Sequence, residues 1–177
     1  MKATHATIEE RRVIHEGRIF RVEIDKVRLP SGHTVPMEMI RHPGSVVLLP
    51  VPAPDQIILI RQYRYSIDRW IWEVPAGTLK PNEPAADAAA RECEEEIGMV
   101  PGRIERLASF YPTPGFCDEE MIFFRCSELA PSDPDSPVKK DEDEDLEPRV
   151  FSLDAARQML AGNEIVDLKT AVGLTLL

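Results

Sequence analysis

The stretch that decides the fold runs from Gly77 to Met99, GTLKPNEPAADAAARECEEEIGM. It opens on a glycine, passes a proline-containing turn, becomes alanine-rich and ends in glutamates and a second glycine. Its helix signals agree with one another. Asn82 is a capping residue type, Glu83 opens the first turn, Pro84 is tolerated there, and Gly98 sits where a left-handed C-terminal cap belongs. The pattern predicts a helix from about Glu83 to Ile97. At roughly 100° per residue, Ala86, Ala89, Ala90, Cys93 and Ile97 share one side and form a packing stripe. Glu92, Glu95 and Glu96 are spaced i, i+3, i+4 and share a neighbouring face. Like charges at these spacings destabilise a helix by about 0.2–0.5 kcal/mol per pair when nothing neutralises them. A hard divalent ion would reverse that cost, Mg2+ first and Mn2+ as the alternative. A solvated acidic face is the other reading of three glutamates taken alone.

Gly77, five residues, Glu83, seven residues, then Arg91-Glu92-Cys93-Glu94-Glu95-Glu96-Ile97-Gly98-Met99 resembles the signature box of the Nudix hydrolase family. Cys93 and Met99 stand where the pattern has aliphatic residues, and both can serve as core hydrophobes. The resemblance implies an α/β fold, a Nudix-type α/β/α sandwich with a mixed sheet, here extended by an N-terminal β-hairpin. It also implies a loop-helix-loop that holds divalent metal and cleaves a nucleoside diphosphate linked to another moiety. On that basis Glu92, Glu95 and Glu96 are metal ligands, with Glu95 counted among the catalytic residues. Glu83 and Arg91 brace the loop.

A chain of 177 residues, 43% hydrophobic, can bury one substantial core. The expected division is residues 1–43 as N-terminal strands, a dimerisation element, and 44–177 as the catalytic domain. A charged-then-apolar leader and any apolar run near twenty residues are both missing from the sequence, so the expected compartment is the cytoplasm, with no membrane partner. Cys93, Cys117 and Cys126 form no CxxC pair and read as reduced thiols. A formal charge of −10 disfavours nucleic acid, whose phosphates need clustered Lys and Arg.

From Gly17 to Arg41 two strands are expected around the turn Pro30-Ser31-Gly32. In the ADP-ribose pyrophosphatase branch similar strands exchange across a homodimer and help to form the partner's adenine pocket. The resemblance makes Phe20 and Met37 the candidates for that contact; ordinary sheet packing is the alternative. Gly44 to Val51 and Gln56 to Arg64 are apolar runs that read as core strands. Arg61-Gln62-Tyr63-Arg64 is similar to an Arg-Gln-x-Arg of that branch, which implies that Arg64 contacts a phosphate or ribose. A guanidinium suits this because its fork donates two parallel hydrogen bonds. A surface arginine paired with an acid is the plainer reading. The run Trp72-Glu73-Val74-Pro75-Ala76-Gly77 is similar to the segment before the box in enzymes acting on ADP-ribose and related sugars. By that likeness Glu73 binds substrate and the Ala76 carbonyl adds a metal ligand.

Strands are expected over Arg103 to Tyr111 and Met121 to Cys126, enclosing a loop. Pro114 occupies the place of a proline that marks the ADP-ribose branch, and Gly115 permits close approach of a ligand. Ala130 to Leu146 is rich in Pro, Ser and charge and reads as a mobile loop. The related pyrophosphatases carry a catalytic glutamate on such a loop, which by alignment is Glu142, with Glu144 as a second, metal-reaching acid; the repeated acids allow the two to exchange roles. A short strand then spans Glu147 to Phe151, and Ser152 and Asp167 cap two terminal helices. The activity this implies is hydrolysis of ADP-ribose, or a related nucleotide-sugar substrate, to AMP and ribose 5-phosphate. Another nucleotide sugar such as GDP-mannose, a dinucleotide, and non-catalytic sensing of ADP-ribose are the alternatives.

Overall fold

The computed structural model describes residues 4–138 and 146–177; Glu142, Glu144 and the rest of 139–145 in the expected acidic loop lie outside the described residues. The strands are β1 (Thr7–Glu16), β2 (Arg21–Arg28), β3 (Thr34–Arg41), β4 (Ser45–Pro50), β5 (Gln56–Arg64), β6 (Arg69–Glu73), β7 (Ala76–Thr78), β8 (Met99–Phe110), β9 (Met121–Pro131) and β10 (Leu146–Ser152). The helices are α1 (Ala85–Ile97), α2 (Leu153–Ala161) and α3 (Leu168–Thr175). Two compact units result, Met1–Gly44 with Tyr111–Glu120, and Ser45–Phe110 with Met121–Leu177.

In the first unit β1, β2 and β3 form an antiparallel sheet in that order. The hairpin of β2 and β3 closes where the turn residues stand, with the Leu29 amide donating to the His33 carbonyl and Gly32 at φ +90°. Strand β1 is an addition to the two strands read from sequence. Its apolar residues do not alternate cleanly, and register shifts between Ile8 and Glu10 and between Val13 and His15 break the period of two. Two buried acids, Glu23 and Asp25, are held by arginines: Arg11 grips Asp25 at 2.8 and 2.9 Å, and Arg41 reaches Glu23 at 2.8 Å and Asp25 at 2.7 Å. These bonds hold both carboxyls below their usual range, through Arg41 for Glu23 and Arg11 for Asp25. The segment Tyr111–Glu120 belongs here because the Ile40 amide donates to the Phe116 carbonyl at 2.7 Å and Asp118 bonds both Arg41 and the His42 amide.

In the second unit β7, β4, β9 and β8 form one sheet, with β4 and β9 parallel, and β10, β5 and β6 form another. Val46 and Leu48 of β4 and Ile58 and Ile60 of β5 pack with Ala88, Ala89, Cys93 and Ile97 of α1. Their neighbours Val47, Leu49, Ile57 and Leu59 pack on Ala156 of α2 and Leu174 of α3. Both faces of these strands are therefore covered, which is why they read as continuous apolar runs. This is the α/β/α sandwich with a mixed sheet.

Helix α1 differs in detail from its expected form. It begins at Ala85, and Pro84 takes the N-cap position with no side-chain cap; Asn82 instead sits in the preceding turn at φ +61°. Its buried face carries Ala88, Ala89, Glu92, Cys93, Glu96 and Ile97, whereas Ala86 is exposed. Gly98 does terminate it in the left-handed region, at φ +66°. Ser152 and Asp167 cap α2 and α3 as expected, accepting from the Ala155 and Thr170 amides.

Helix α3 seats closely on β4 because Gly173 lacks a side chain: a Cβ there would stand 2.6 Å from Cδ2 of the fully buried Leu49. Gly173→Val is expected to destabilise the protein by about 1–3 kcal/mol through overpacking, read as a lower urea midpoint at unchanged slope.

Candidate active site

Helix α1 turns its acids in two directions. Glu94 accepts from the hydroxyls of Ser132 and Ser136, and Glu92, Glu95 and Glu96 lie to another side. There the Arg91 guanidinium is shared: Nη1 donates to Glu92 Oε1 and to Glu95 Oε2, each at 2.6 Å. Its other edge grips Glu83 of the preceding loop, Nε to Oε1 at 2.8 Å and Nη2 to Oε2 at 3.0 Å. Glu83 also accepts from the Lys80 amide. Arg91 and Glu83 thus clamp the loop to the helix. The Arg91 hydrogen bonds, Lys80 and the nearby positive charges outweigh burial and pull the Glu83 carboxyl from its usual 4.5 to about 2. The Arg91 pKa moves upward for the reciprocal reason, led by its bond to Glu83.

Gly77 determines where Glu92 lies. A Cβ on Gly77 would stand 1.8 Å from the Glu92 carboxyl carbon, so the carboxylate occupies space that any side chain would fill. Glu96, 5% exposed, accepts from the Ala76 amide at 3.2 Å. That bond uses the Ala76 N–H and is separate from its carbonyl. The thiol of Cys93, on the core side of the same helix, is pushed up by its contact with Cys126 and by burial; all three cysteines are free and buried.

A second charged cluster joins three elements. Arg64 at the end of β5 forks onto Glu73 at the end of β6, Nε to Oε1 and Nη2 to Oε2, both at 2.7 Å. Glu73 is 1% exposed. Its Oε2 also accepts from Lys169 in the first turn of α3, and Lys169 lies 3.2 Å from Asp167. Burial pulls the Arg64 pKa down, but the bond and charge of Glu73 outweigh it and the net displacement is upward. Arg64, Ser66, Ile71, Glu73, Asp167 and Lys169 line a cavity of about 380 Å³.

The structure thus joins Arg64 to Glu73, Glu92 to Glu95 through Arg91, and Glu96 to Ala76. Among the described residues no three acids, histidines or cysteines converge as a metal cluster, since Arg91 and the Ala76 amide divide the three glutamates. In the first unit Pro114 and Gly115 are exposed on the segment tied to β3, Met37 is half-buried on β3 opposite Asp25, and Phe20 is exposed. Lys169 was not among the residues singled out from sequence. Its signal was there in outline: a cation in the first turn of a helix opposes the macrodipole and calls for an acidic partner.

The NUDIX domain family model matches residues 41–169, most of the chain and all of the box. The chain belongs to the Nudix family. This Nudix chain is similar to an ADP-ribose pyrophosphatase of Bacillus subtilis (strain 168), 32% identical over 174 residues, 98% of this chain and 93% of that protein. It is also similar to a methanol dehydrogenase activator of Bacillus methanolicus, 35% identical over 161 residues, 91% of this chain and 86% of that one. A solved structure described as an ADP compounds hydrolase superposes with a TM-score of 0.82 at 22% identity, covering 98% of this chain and 92% of that chain, which establishes the shared fold. No helix among the described residues is long and apolar enough to cross a membrane.

The Nudix box fits a hard divalent ion by its donor chemistry. Three carboxylates and a backbone carbonyl are oxygen donors, and Gly77 leaves the recess that Glu92 fills. Gly77→Ala is expected to displace Glu92 and weaken Mn2+ binding by about 10–100-fold, measured by calorimetric titration. Glu83→Gln removes a group whose folded pKa is depressed, so its contribution is present above about pH 4.5 and is lost as pH falls through about 2. The Tm difference between wild type and Glu83→Gln should therefore be largest near neutrality and close over that acidic window.

Proposed function

We propose that this chain hydrolyses the diphosphate bond of ADP-ribose, or of a related ADP-sugar, releasing AMP and ribose 5-phosphate. The observation that carries the reading is the pairing of a complete Nudix box on α1 with the Arg64–Glu73 fork at a cavity of about 380 Å³. The similarity to an ADP-ribose pyrophosphatase along almost the whole chain supports the same substrate class.

Glu92, Glu95, Glu96 and the Ala76 carbonyl would hold Mg2+, or Mn2+ in its place, and the ion would supply neutralisation of the diphosphate and acidification of water. The rest is the work of the chain's own groups. Arg64 uses two of its five N–H donors on Glu73 and directs the remainder toward a phosphate oxygen. Glu73 holds that fork in orientation. The Glu83–Arg91 clamp keeps the loop after Gly77 against the helix, so the glutamates do not drift. Glu142, or Glu144 if the register shifts by two, takes the proton of the attacking water as general base. The water oxygen joins phosphorus as the bridging oxygen leaves with the departing half.

The same reading includes a homodimer with exchanged N-terminal strands. Every residue of β1 is exposed, with Ile8, Val13 and Ile14 each near half exposure, and Ile19 and Phe20 follow. β1 is an edge strand of its sheet, and a second copy would cover these exposed apolar residues. In that dimer Phe20 and Met37 contribute to the partner's adenine pocket, and Pro114 and Gly115 form a substrate edge. Residues 1–43 are then the dimerisation element and 44–177 the catalytic domain, acting in the cytoplasm. Nucleic acid and membrane are not partners.

With Mg2+ and ADP-ribose, AMP release followed by chromatography tests the activity. Glu96→Gln should lower kcat more than about 10²-fold while leaving the thermal transition in place. Glu142→Gln should lower kcat far more than KM; if only Glu144→Gln does so, the base is Glu144.

A further inference from the structure

Lys169 sits in a costly place. It is 9% exposed, and burial of an ammonium is unfavourable unless acids compensate it. It is also the second residue of α3, where the helix dipole repels a cation. Replacing Lys169 alone by an apolar side chain would leave Glu73 and Asp167 short of a cation, so its placement is tied to the acids it meets. Two acids meet it: Glu73, which it reaches across 96 positions of the chain, and Asp167, 3.2 Å away. The helix that carries it is fixed on three sides. Asp167 caps α3 through the Thr170 amide, the Thr170 hydroxyl accepts from the Val74 amide at 2.8 Å, and Gly173 seats the helix on Leu49. The ammonium is thus delivered to one face of the cavity from a rigid support.

Glu73 stands between two cations. Its Oε2 accepts from both Arg64 Nη2 and Lys169 Nζ, while its Oε1 accepts from Arg64 Nε. A carboxylate held from one side only can turn about its terminal torsion, which is broad. Held from both sides, its plane is fixed, and the plane of the guanidinium with it. Charge matters as well. Arg64 and Lys169 balance Glu73 and Asp167; without Lys169 the group carries a net negative charge beside a cavity expected to receive an anion.

We propose that Lys169 is a positioning residue: acting through Glu73, it fixes the Arg64 fork at the cavity and offsets the local acids, so that Arg64 presents its remaining donors to a phosphate of the substrate. The inference rests on the diphosphatase reading for its substrate, but its structural half does not.

The test has two arms on the full-length protein. In the first, without substrate, solvent exchange of the Arg64 Nε–H is followed by nitrogen-15 NMR, the signal being assigned by its loss in Arg64→Lys. Lys169→Met should speed that exchange by about 10-fold, and Lys169→Arg should restore the wild-type rate. In the second arm, with Mg2+ and ADP-ribose, Lys169→Met should raise KM by about 10-fold with kcat within about threefold, and Lys169→Arg should recover KM. Introduced into a Glu73→Gln background, Lys169→Met should add less than about twofold, because the residue through which it acts is already altered. Exchange that is unchanged in Lys169→Met overturns the proposal. So does a KM effect that persists in full in the Glu73→Gln background, which would make Lys169 a direct substrate contact. Were Lys169→Met to unfold, Lys169→Arg with wild-type Tm but fast Arg64 exchange and raised KM would overturn it equally. A wild-type protein that leaves ADP-ribose intact would sink the diphosphatase reading, and the exchange arm would still decide the role of Lys169.

Discussion

One guanidinium carries three carboxylates of the box. Arg91 bonds Glu92 and Glu95 on its own helix and Glu83 on the loop before it. Like charges at i, i+3 and i, i+4 repel along a helix, and a cation among them removes that cost. Removing the cost lets the acids turn inward. Glu92 and Glu96 are buried, on the edge of the face that packs on the sheet, and Glu92 lies in the recess that Gly77 leaves open. The helix, its preceding loop and the first strand of the turn are therefore one electrostatic unit, and the position of each glutamate depends on the others.

The cluster of Arg64, Glu73 and Lys169 is organised differently. Its members come from the ends of β5 and β6 and the start of α3, and no local pattern connects them. What brings them together is the packing of α3, held by its cap, by Thr170 on the Val74 amide and by the missing side chain at Gly173. The two charged groups also differ in what they ask of a ligand. The box offers oxygen donors to a cation, while the fork of Arg64 offers N–H donors to an anion.

Much of the fold could be read from local pattern. β4 and the Ile57–Ile60 half of β5 announce themselves because both of their faces are buried, so nearly every position there is apolar. The hairpin of β2 and β3 follows from its turn, and Ser152, Asp167 and Gly98 act at helix ends as their chemistry suggests. The misses have physical causes. β1 escapes because two register shifts disturb its alternation and no buried face imposes one. Asn82 is a capping type used in a turn instead, and Pro84 takes the N-cap position. The buried stripe of α1 takes in Glu92 and Glu96 and leaves out Ala86, because Glu92 lies in the recess beside Gly77 and Glu96 accepts from the Ala76 amide. Tyr111–Glu120 joins the N-terminal sheet through Arg41, a pairing across 77 positions that no window could reveal.

By itself, then, the sequence determined the family, much of the order of the elements and the identity of the acids on α1, because each is encoded in short-range spacings along the chain. The tertiary structure decided how those acids are shared. It gave Glu96 to the Ala76 amide, put Glu92 in the recess that Gly77 leaves, and set Lys169 against Glu73. These are matters of distance in space between charged groups, and a charge settles on the partner that packing brings within reach, whatever its position along the chain.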